Sequence, residues 1–336
     1  MKKWLVISAL TLGMVGASGQ TTIQAAQQSP TASVFEKIAN VEQQSLGFFD
    51  LYNVFKIAEL DTPSIKATMN SKQTAFTVHM PLEILMESEE GSENYLAEYT
   101  ELQTYFGKAF QLKLTKHGQT FKAEILAAGE WLPLSKEEQA EFLAGFFSTG
   151  MELRPGGHFK DIIGHWAEGY IQVLYQGEIV SGTTETTFSP NGKVTRGQLV
   201  AMIYRATSTE IGEQRATSYT DLTNFWGAKE VTALESQGVL SIFAGENFEP
   251  NKAVTREEMA FVNAKYLALE GLDIAAMNTR NTFKDVDDMN AQTITAIGLL
   301  QQLEIIGGEN GQFNPKGNLT RAQFAKIFTL SLMVFE

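Results

Sequence analysis

Hydrophobic and polar positions follow two different periods along this chain, and the change divides the chain into two halves. In the first half, apolar residues recur at every second position over residues 65–69, 76–80, 110–114 and 121–125. This alternation predicts β-strands with one buried face, and the polar turn at 116–119 predicts a hairpin between the last two. In the second half, apolar residues recur every three or four positions, which predicts amphipathic helices.

Helices are also predicted on both sides of the strands. Ser33 and Glu36 form a capping box ahead of an apolar stripe, and a second box at Ser135 and Glu138 precedes Phe142. The residues of the first stripe are Val34, Ile38, Val41, Phe48, Tyr52 and Phe55. The sequence therefore predicts a small α+β domain, with antiparallel strands and helices, over residues 27–151.

The second half repeats one short phrase three times. An aromatic residue, any residue, proline, four further residues and Thr-Arg run from Phe188, from Phe248 and from Phe313. These copies begin 60 and 65 residues apart, and each follows a Phe/Tyr-x-Asp start and a predicted helix. Such a period indicates a repeated structural unit. We predict three helix–loop–helix repeats, at residues 159–207, 219–270 and 283–335.

The threonine of each Thr-Arg pair is predicted to cap the second helix of its repeat. A glutamine or glutamate follows three positions later, which completes a capping box. The threonines are Thr195, Thr255 and Thr320, and their partners are Gln198, Glu258 and Gln323.

The arginine of the pair lies in the first turn of the helix, where the positive end of the helix dipole disfavours a cation. Its recurrence predicts a function, because a guanidinium beside free N–H groups of a helix end would bind a carboxylate or phosphate. Alternatively, each arginine pairs with an acidic residue of a neighbouring repeat. The arginines are Arg196, Arg256 and Arg321, and the acidic candidates are Asp161, Asp221 and Asp285.

Two tryptophans recur near the start of the first helix in the first and second repeats. Trp166 and Trp226 are either part of the core or flat apolar faces for a sugar ring near an arginine. Both interpretations stay open from the sequence.

Composition narrows the function classes. The net charge of −13 disfavours nucleic acid and anionic lipid as partners, and the absence of cysteine excludes disulfides and thiol catalysis. We predict no metal site and no cofactor, because His79, His117, His158 and His165 have no metal-ligand spacing. No nucleophile elbow is present, and glutamates around Gly91 resemble a solvated loop, so we expect no enzyme.

The N-terminus predicts export. Lys2 and Lys3 precede an apolar stretch over 4–17, and small residues follow at Ala25 and Ala26. The stretch is too short to span a membrane. We therefore predict a signal peptide over residues 1–26 and a secreted mature chain without a membrane span.

The combined pattern resembles the S-layer homology (SLH) domain. Phe/Tyr-x-Asp, Trp, Ile, Leu, Gly and Phe-x-Pro-x4-Thr-Arg-x-Glu/Gln occur in tandem over residues 159–335. The resemblance implies a mainly α pseudo-trimer, with a central helical bundle and prongs outside. It also implies location in the cell wall or S-layer, through non-covalent binding of secondary cell-wall polysaccharide. The acidic sugar of that polymer is often a pyruvylated N-acetylmannosamine.

Transferred residue by residue, the resemblance implies a set of ligand residues in grooves between the prongs. The arginines would meet the acid, the aspartates would meet sugar hydroxyls or orient arginines, and the tryptophans would line the grooves. The set is Arg196, Arg256, Arg321, Asp161, Asp221, Asp285, Trp166 and Trp226. The third repeat has no tryptophan, and Leu303 replaces the turn glycine that Gly177 represents, so we expect two competent grooves and one weak one.

We favour a wall-anchored, carbohydrate-binding surface protein. The alternatives are a wall-active enzyme that the repeats target, with catalysis in the N-terminal domain, and a structural subunit of an S-layer. The oligomeric state stays open.

Overall fold

The computed structural model describes residues 48–61, 63–82, 95–118, 120–135, 158–209, 216–274, 277 and 279–335. The predicted signal peptide, the start of the first predicted helix, the acidic loop around Gly91, the helix after Ser135 and the segment 154–157 lie outside these residues. The described residues form two compact units. The first contains those up to 176 and 184–187, and the second contains 177–183 and those from 188 onward.

A five-stranded antiparallel sheet forms the centre of the first unit. Every strand pairs with the next one in sequence, and the predicted hairpin joins β3 to β4. The strands are β1 (Lys66–Met69), β2 (Ala75–Pro81), β3 (Ala109–His117), β4 (Thr120–Ala127) and β5 (Glu130–Pro133). The four strands that alternation predicts are therefore confirmed.

Helix α1 (Phe48–Asp61) covers one face of the sheet, and α2 (Tyr95–Phe106) adds Leu102 to the same core. Alternate strand positions bring Phe76 opposite Leu114 and Val78 opposite Leu112, and all four are buried. They pack with residues of α1 that the predicted stripe contains, namely Phe48, Tyr52 and Phe55. The α+β assignment of the N-terminal domain is confirmed.

The first unit also contains the first helix of the first repeat, α3 (Glu168–Gln176). It lies so close to α1 that a Cβ at Gly169 would be 2.6 Å from the carbonyl oxygen of Lys56. The Tyr52 hydroxyl donates to the buried Glu168 carboxylate at 3.2 Å. Glycine permits this approach because it has no side chain.

The second unit is helical. Its helices are α4 (Arg196–Ala206), α5 (Ala228–Ser236), α6 (Arg256–Leu269), α7 (Ala291–Gln302) and α8 (Arg321–Leu332), and a 3-10 turn follows at Met333–Phe335. Complete capping boxes begin α4, α6 and α8, with Thr195, Thr255 and Thr320 as the N-caps. The predicted role of the three threonines is confirmed.

A closed ring of three backbone hydrogen bonds joins the repeats just before these helices. Val194 donates to Leu319 at 3.0 Å, Leu319 donates to Val254 at 2.8 Å, and Val254 donates to Val194 at 2.8 Å. All three side chains are fully buried. Each repeat is therefore tied to both others at equivalent positions.

The turn after the first helix of each repeat needs one correction. The residue with a left-handed backbone is Glu178 in the first repeat, Gly238 in the second and Glu304 in the third, with φ of 61°, 72° and 57°. Gly177 is thus not the turn residue of its repeat, and Leu303 does not occupy the left-handed position. The third repeat makes the turn with a glutamate, as the first repeat does.

Candidate functional site

The residue between Phe and Pro in each repeated phrase has a left-handed backbone. Ser189, Glu249 and Asn314 have φ of 61°, 56° and 57°, which is uncommon without glycine. In the second repeat, Asp221 accepts hydrogen bonds from the N–H groups of Phe248 and Glu249, both at 2.8 Å. The carboxylate therefore holds the strained loop in place.

Asp285 makes the same clamp in the third repeat, with the N–H groups of Phe313 and Asn314 at 2.8 Å. Burial raises the pKa of Asp285, but these two N–H groups and the nearby Arg256 outweigh burial, so the pKa lies below its usual value. Asp221 and Asp285 form no ion pair with a described arginine. Both carboxylates shape the loop on which the next contacts depend, and Asp161 occupies the same sequence position in the first repeat.

Three junctions form where a helix start meets the Phe-x-Pro loop of another repeat. We name them the first junction (start of α4 with 248–250), the second junction (start of α6 with 313–315) and the third junction (start of α8 with 188–190). At the second junction, Arg256 and Glu257 donate their backbone N–H groups to Gly317 and Pro315, at 2.9 and 3.0 Å. The other two junctions repeat this pattern.

The next N–H group of each helix donates to the capping threonine. These N–H groups therefore hold the repeats together. The prediction that free N–H groups of the helix ends complete an anion pocket is wrong, because the loops of the adjacent repeats already accept from them.

Arg256 reaches across the second junction. Its Nε donates to the Phe313 carbonyl at 2.7 Å and its Nη2 to the Gly307 carbonyl at 3.0 Å, with the guanidinium 4.5 Å from the Phe313 ring centre. Arg321 makes equivalent bonds at the third junction, to Phe188 at 2.8 Å and Ser181 at 2.7 Å. The second and third junctions thus share one arginine geometry.

The charge of Arg256 is only partly solvated. Burial lowers its pKa while the Coulombic attraction of Asp285 opposes the shift, and Arg256 forms no ion pair with any residue that the structure describes. Neutral carbonyl groups compensate a cation incompletely. The second junction can therefore accept an anionic partner.

Arg196 has a different environment at the first junction. It is 8% exposed, and its Nη1 donates to the Phe248 carbonyl at 2.9 Å and to Glu249 at 2.8 Å. Its Nη2 donates to Glu258 at 2.6 Å. The alternative of an acidic partner in the neighbouring repeat therefore holds for Arg196, with two glutamates and not with the predicted aspartates.

The tryptophans lie on the surface. Trp166 is 58% exposed and Trp226 is 63% exposed, so the core interpretation of both residues is wrong. The ring of Phe225 lies 5.0 Å from that of Trp226 and fills the space beside Gly197, where a Cβ would collide with it. Gly197 thus admits an aromatic pair beside the start of α4.

The third repeat has a helix cap where the others have tryptophan. Seven positions after its first aromatic residue stands Asn290, whose side chain accepts from the Thr293 N–H at 2.9 Å. The absence of an indole from this repeat therefore reflects a different way of beginning the helix.

Sequence reasoning missed the residues that surround Arg196. Phe243 lies 4.5 Å below its guanidinium, and Glu249 and Glu258 lie 53 and 62 residues away along the chain. The usable sequence signal was that the second repeat has a carboxylate both between Phe and Pro and at the third position of its second helix, where the other repeats have neutral residues. The predicted glycan-binding roles of the arginines, aspartates and tryptophans stay predictions.

Among the described residues, no three histidines or carboxylates are grouped so that they could hold a metal ion. Every described helix is too short or too polar to span a bilayer.

Comparison with known proteins follows the same division of the chain. A family model for the S-layer homology domain matches residues 158–200, 218–260 and 282–325. The chain is 32% identical to an endoglucanase of Bacillus sp. (strain KSM-635) over 169 residues, which are 50% of this chain and 18% of that protein.

Two further relatives match over similar lengths. The S-layer protein EA1 of Bacillus anthracis is 27% identical over 177 residues, 52% of this chain and 20% of that protein. An amylopullulanase of Thermoanaerobacterium thermosulfurigenes is 32% identical over 188 residues, 55% and 10% of the respective chains. The chain therefore spans only a small part of the length of these relatives.

Proposed function

We propose that this chain, whose C-terminal half contains three SLH domains, binds secondary cell-wall polysaccharide through an acidic, pyruvylated sugar. The three domains and the likeness to S-layer proteins locate the chain at the cell surface, in association with the cell wall or S-layer. SLH domains bind cell-wall polymers, so the proposal concerns which sugar is recognised and by which residues.

The proposal includes a pseudo-trimeric arrangement of the three repeats. In it, α4, α6 and α8 form a central bundle, with short prongs outside. The ring of bonds among Val194, Val254 and Leu319 and the three matching capping boxes support this arrangement. Three junctions at equivalent positions then offer related places for one polymer.

The observation that carries the proposal is the environment of Arg256. Its guanidinium is half-buried and bonds to two neutral carbonyls, and among the described residues it has only the longer-range attraction of Asp285 and no carboxylate within ion-pair distance. A sugar carboxylate would supply a directly bonded countercharge through charge-assisted hydrogen bonds. The exposed faces of Trp166 and Trp226 are available to sugar rings of the same polymer.

Retention on purified cell walls tests the proposal. We expect the full chain to bind native walls, and to bind poorly to walls stripped of secondary polymer or lacking pyruvate. Arg256→Gln should lower retention about tenfold or more, because a hydrogen bond to a charged group is lost. Arg280→Gln is the matched control, since this exposed arginine lies outside the junctions. Equal binding to all three wall preparations would exclude a pyruvylated ligand.

For the N-terminal domain we propose a non-catalytic role as the part that the repeats hold on the wall. On the face of its sheet that points away from α1, Lys113 and Lys122 both pair with Glu124, and Lys113 lies 4.4 Å from the Trp131 ring centre. Charges that pair with one another in this way stabilise a surface. Incubation with purified walls, followed by measurement of released reducing ends, should show no release above a buffer control.

The alternative function, a structural subunit of an S-layer, has one observation in its favour, the similarity to S-layer proteins over about half of this chain. Electron microscopy of the purified chain on polymer-bearing walls distinguishes the two functions. A regular lattice would favour an array subunit, and scattered particles would favour an individually anchored protein.

A further inference from the structure

The three junctions differ in the charge of two residues that the adjacent repeat contributes at equivalent sequence positions. Arg196 meets two positions of the adjacent repeat, the middle residue of Phe-x-Pro and the third residue of the second helix. For Arg196 these are Glu249 and Glu258, and both bind its guanidinium. The corresponding residues are Asn314 and Gln323 at the second junction and Ser189 and Gln198 at the third.

The guanidinium of Arg196 is also oriented differently. Arg256 and Arg321 donate to a phenylalanine carbonyl through Nε, whereas Arg196 donates to Phe248 through Nη1 and leaves its buried Nε without a described partner. Where the third repeat has Gly307 and Gly308, the second repeat has Ser241 and Ile242, followed by buried Phe243. The first junction is therefore filled by side chains of the second repeat.

We propose that Glu249 and Glu258 are internal acidic ligands of Arg196, which close the first junction to the carboxylate of the wall polymer. The acid is then bound at the second junction, through Arg256. This inference rests on the proposed function and specifies the junction that performs it. It replaces the expectation that the first two repeats carry the competent grooves and that the third contributes least.

The contacts explain why a sugar acid does not displace these glutamates. The Glu258 side chain is 11% exposed. If a sugar acid took the guanidinium of Arg196, the Glu258 carboxylate would stay buried without its cation. Glu258 also accepts from the Thr255 N–H at 2.9 Å, which fixes its position. Glu249 is half-exposed and is held in addition by Lys252 at 2.7 Å. An external acid would compete with ligands that the fold already positions.

Exchanging the residues at these two positions between the first and second junctions, in the full chain, tests the inference. Glu249→Asn with Glu258→Gln gives the first junction the residues of the second junction. Glutamine preserves the capping box, because Gln198 and Gln323 accept from their capping threonines at 3.1 and 3.0 Å. The reverse exchange, Asn314→Glu with Gln323→Glu, introduces both carboxylates beside Arg256, and Glu249 shows that glutamate adopts the required φ.

The probe is a synthetic ketal-pyruvylated N-acetylmannosamine, and calorimetry counts the sites per chain. We expect the first exchange to add one site and the second to remove one, while thermal unfolding monitored by circular dichroism confirms that both variants fold. An unchanged number of sites in either folded variant would overturn the inference. Failure of the unsubstituted chain to bind the probe would instead overturn the proposed function.

Discussion

Glu168 provides a test of how tightly helix α3 is joined to helix α1 within the first unit. This carboxyl group is buried where α3 meets α1, and it accepts from the Tyr52 hydroxyl and from the Gly164 N–H at 2.8 Å. Its Oε1 has no hydrogen-bond partner among the described residues. Replacement by glutamine removes the charge and preserves the shape.

The magnitude follows from the pKa of Glu168. Burial raises this pKa to about 7 from an ordinary 4.5, although the Gly164 N–H and the charge of Lys56 oppose the rise. The folded state therefore favours the protonated carboxyl. Its contribution to stability is complete below about pH 4.5 and is lost as the pH rises through about 7. The difference between the ordinary pKa of 4.5 and the raised pKa of about 7 corresponds to about 3 kcal/mol of unfolding free energy.

Hydrogen exchange measured by mass spectrometry is the suitable assay, because it reports on α1 and α3 separately from the other helices. We expect protection of both helices in the unsubstituted chain to fall between pH 5 and pH 8.5, after correction for the intrinsic exchange rate. In Glu168→Gln this fall should be smaller by about 3 kcal/mol. Glu185→Gln, an exposed position in the same unit, is the control. The same pH dependence in all three proteins would refute the reasoning.

Three further predictions concern local packing and charge. His158 stacks on Phe49, and burial lowers the pKa of His158 to about 4. The contribution of neutral His158 to stability is therefore present above pH 6.5 and is lost as the pH falls through about 4. His158→Phe should reduce the acid-induced loss of hydrogen-exchange protection in α1. Asp285→Ala should lower unfolding free energy by about 2 kcal/mol in urea titration, because two loop N–H groups lose their acceptor. Gly169→Ala should destabilise the first unit by about 1–3 kcal/mol, whereas Gly307→Ala, with open space at its Cβ, should change thermal stability little.

Local sequence patterns predicted much of the fold. The alternation of Phe76 with Val78 predicts a strand with one buried face because successive side chains point to opposite sides, and β2 has this geometry. Thr255 and Glu258 predict a helix start because the cap involves only residues three apart, and the capping box is complete. Predictions of this kind succeed when the interacting groups are neighbours in sequence.

Predictions about the site were less complete because its contacts cross between repeats. Asp221 is near Phe248 only after the loop folds back, so its role as a clamp does not follow from the phrase Phe/Tyr-x-Asp. The exposure of Trp166 likewise depends on which faces the rest of the chain covers. Burial and pairing across tens of residues are properties of the packed molecule.

The sequence by itself determined that there are three repeats, where each second helix begins and that one arginine recurs at each start. These features depend on spacing and on the chemistry of adjacent residues. Only the tertiary structure decided what each arginine meets. Arg196 meets two carboxylates and Arg256 meets carbonyl groups, because each helix start contacts a different repeat. The same Thr-Arg pair is therefore surrounded by charged groups in one repeat and by neutral groups in another. This difference arises because each arginine contacts residues of a different neighbouring repeat.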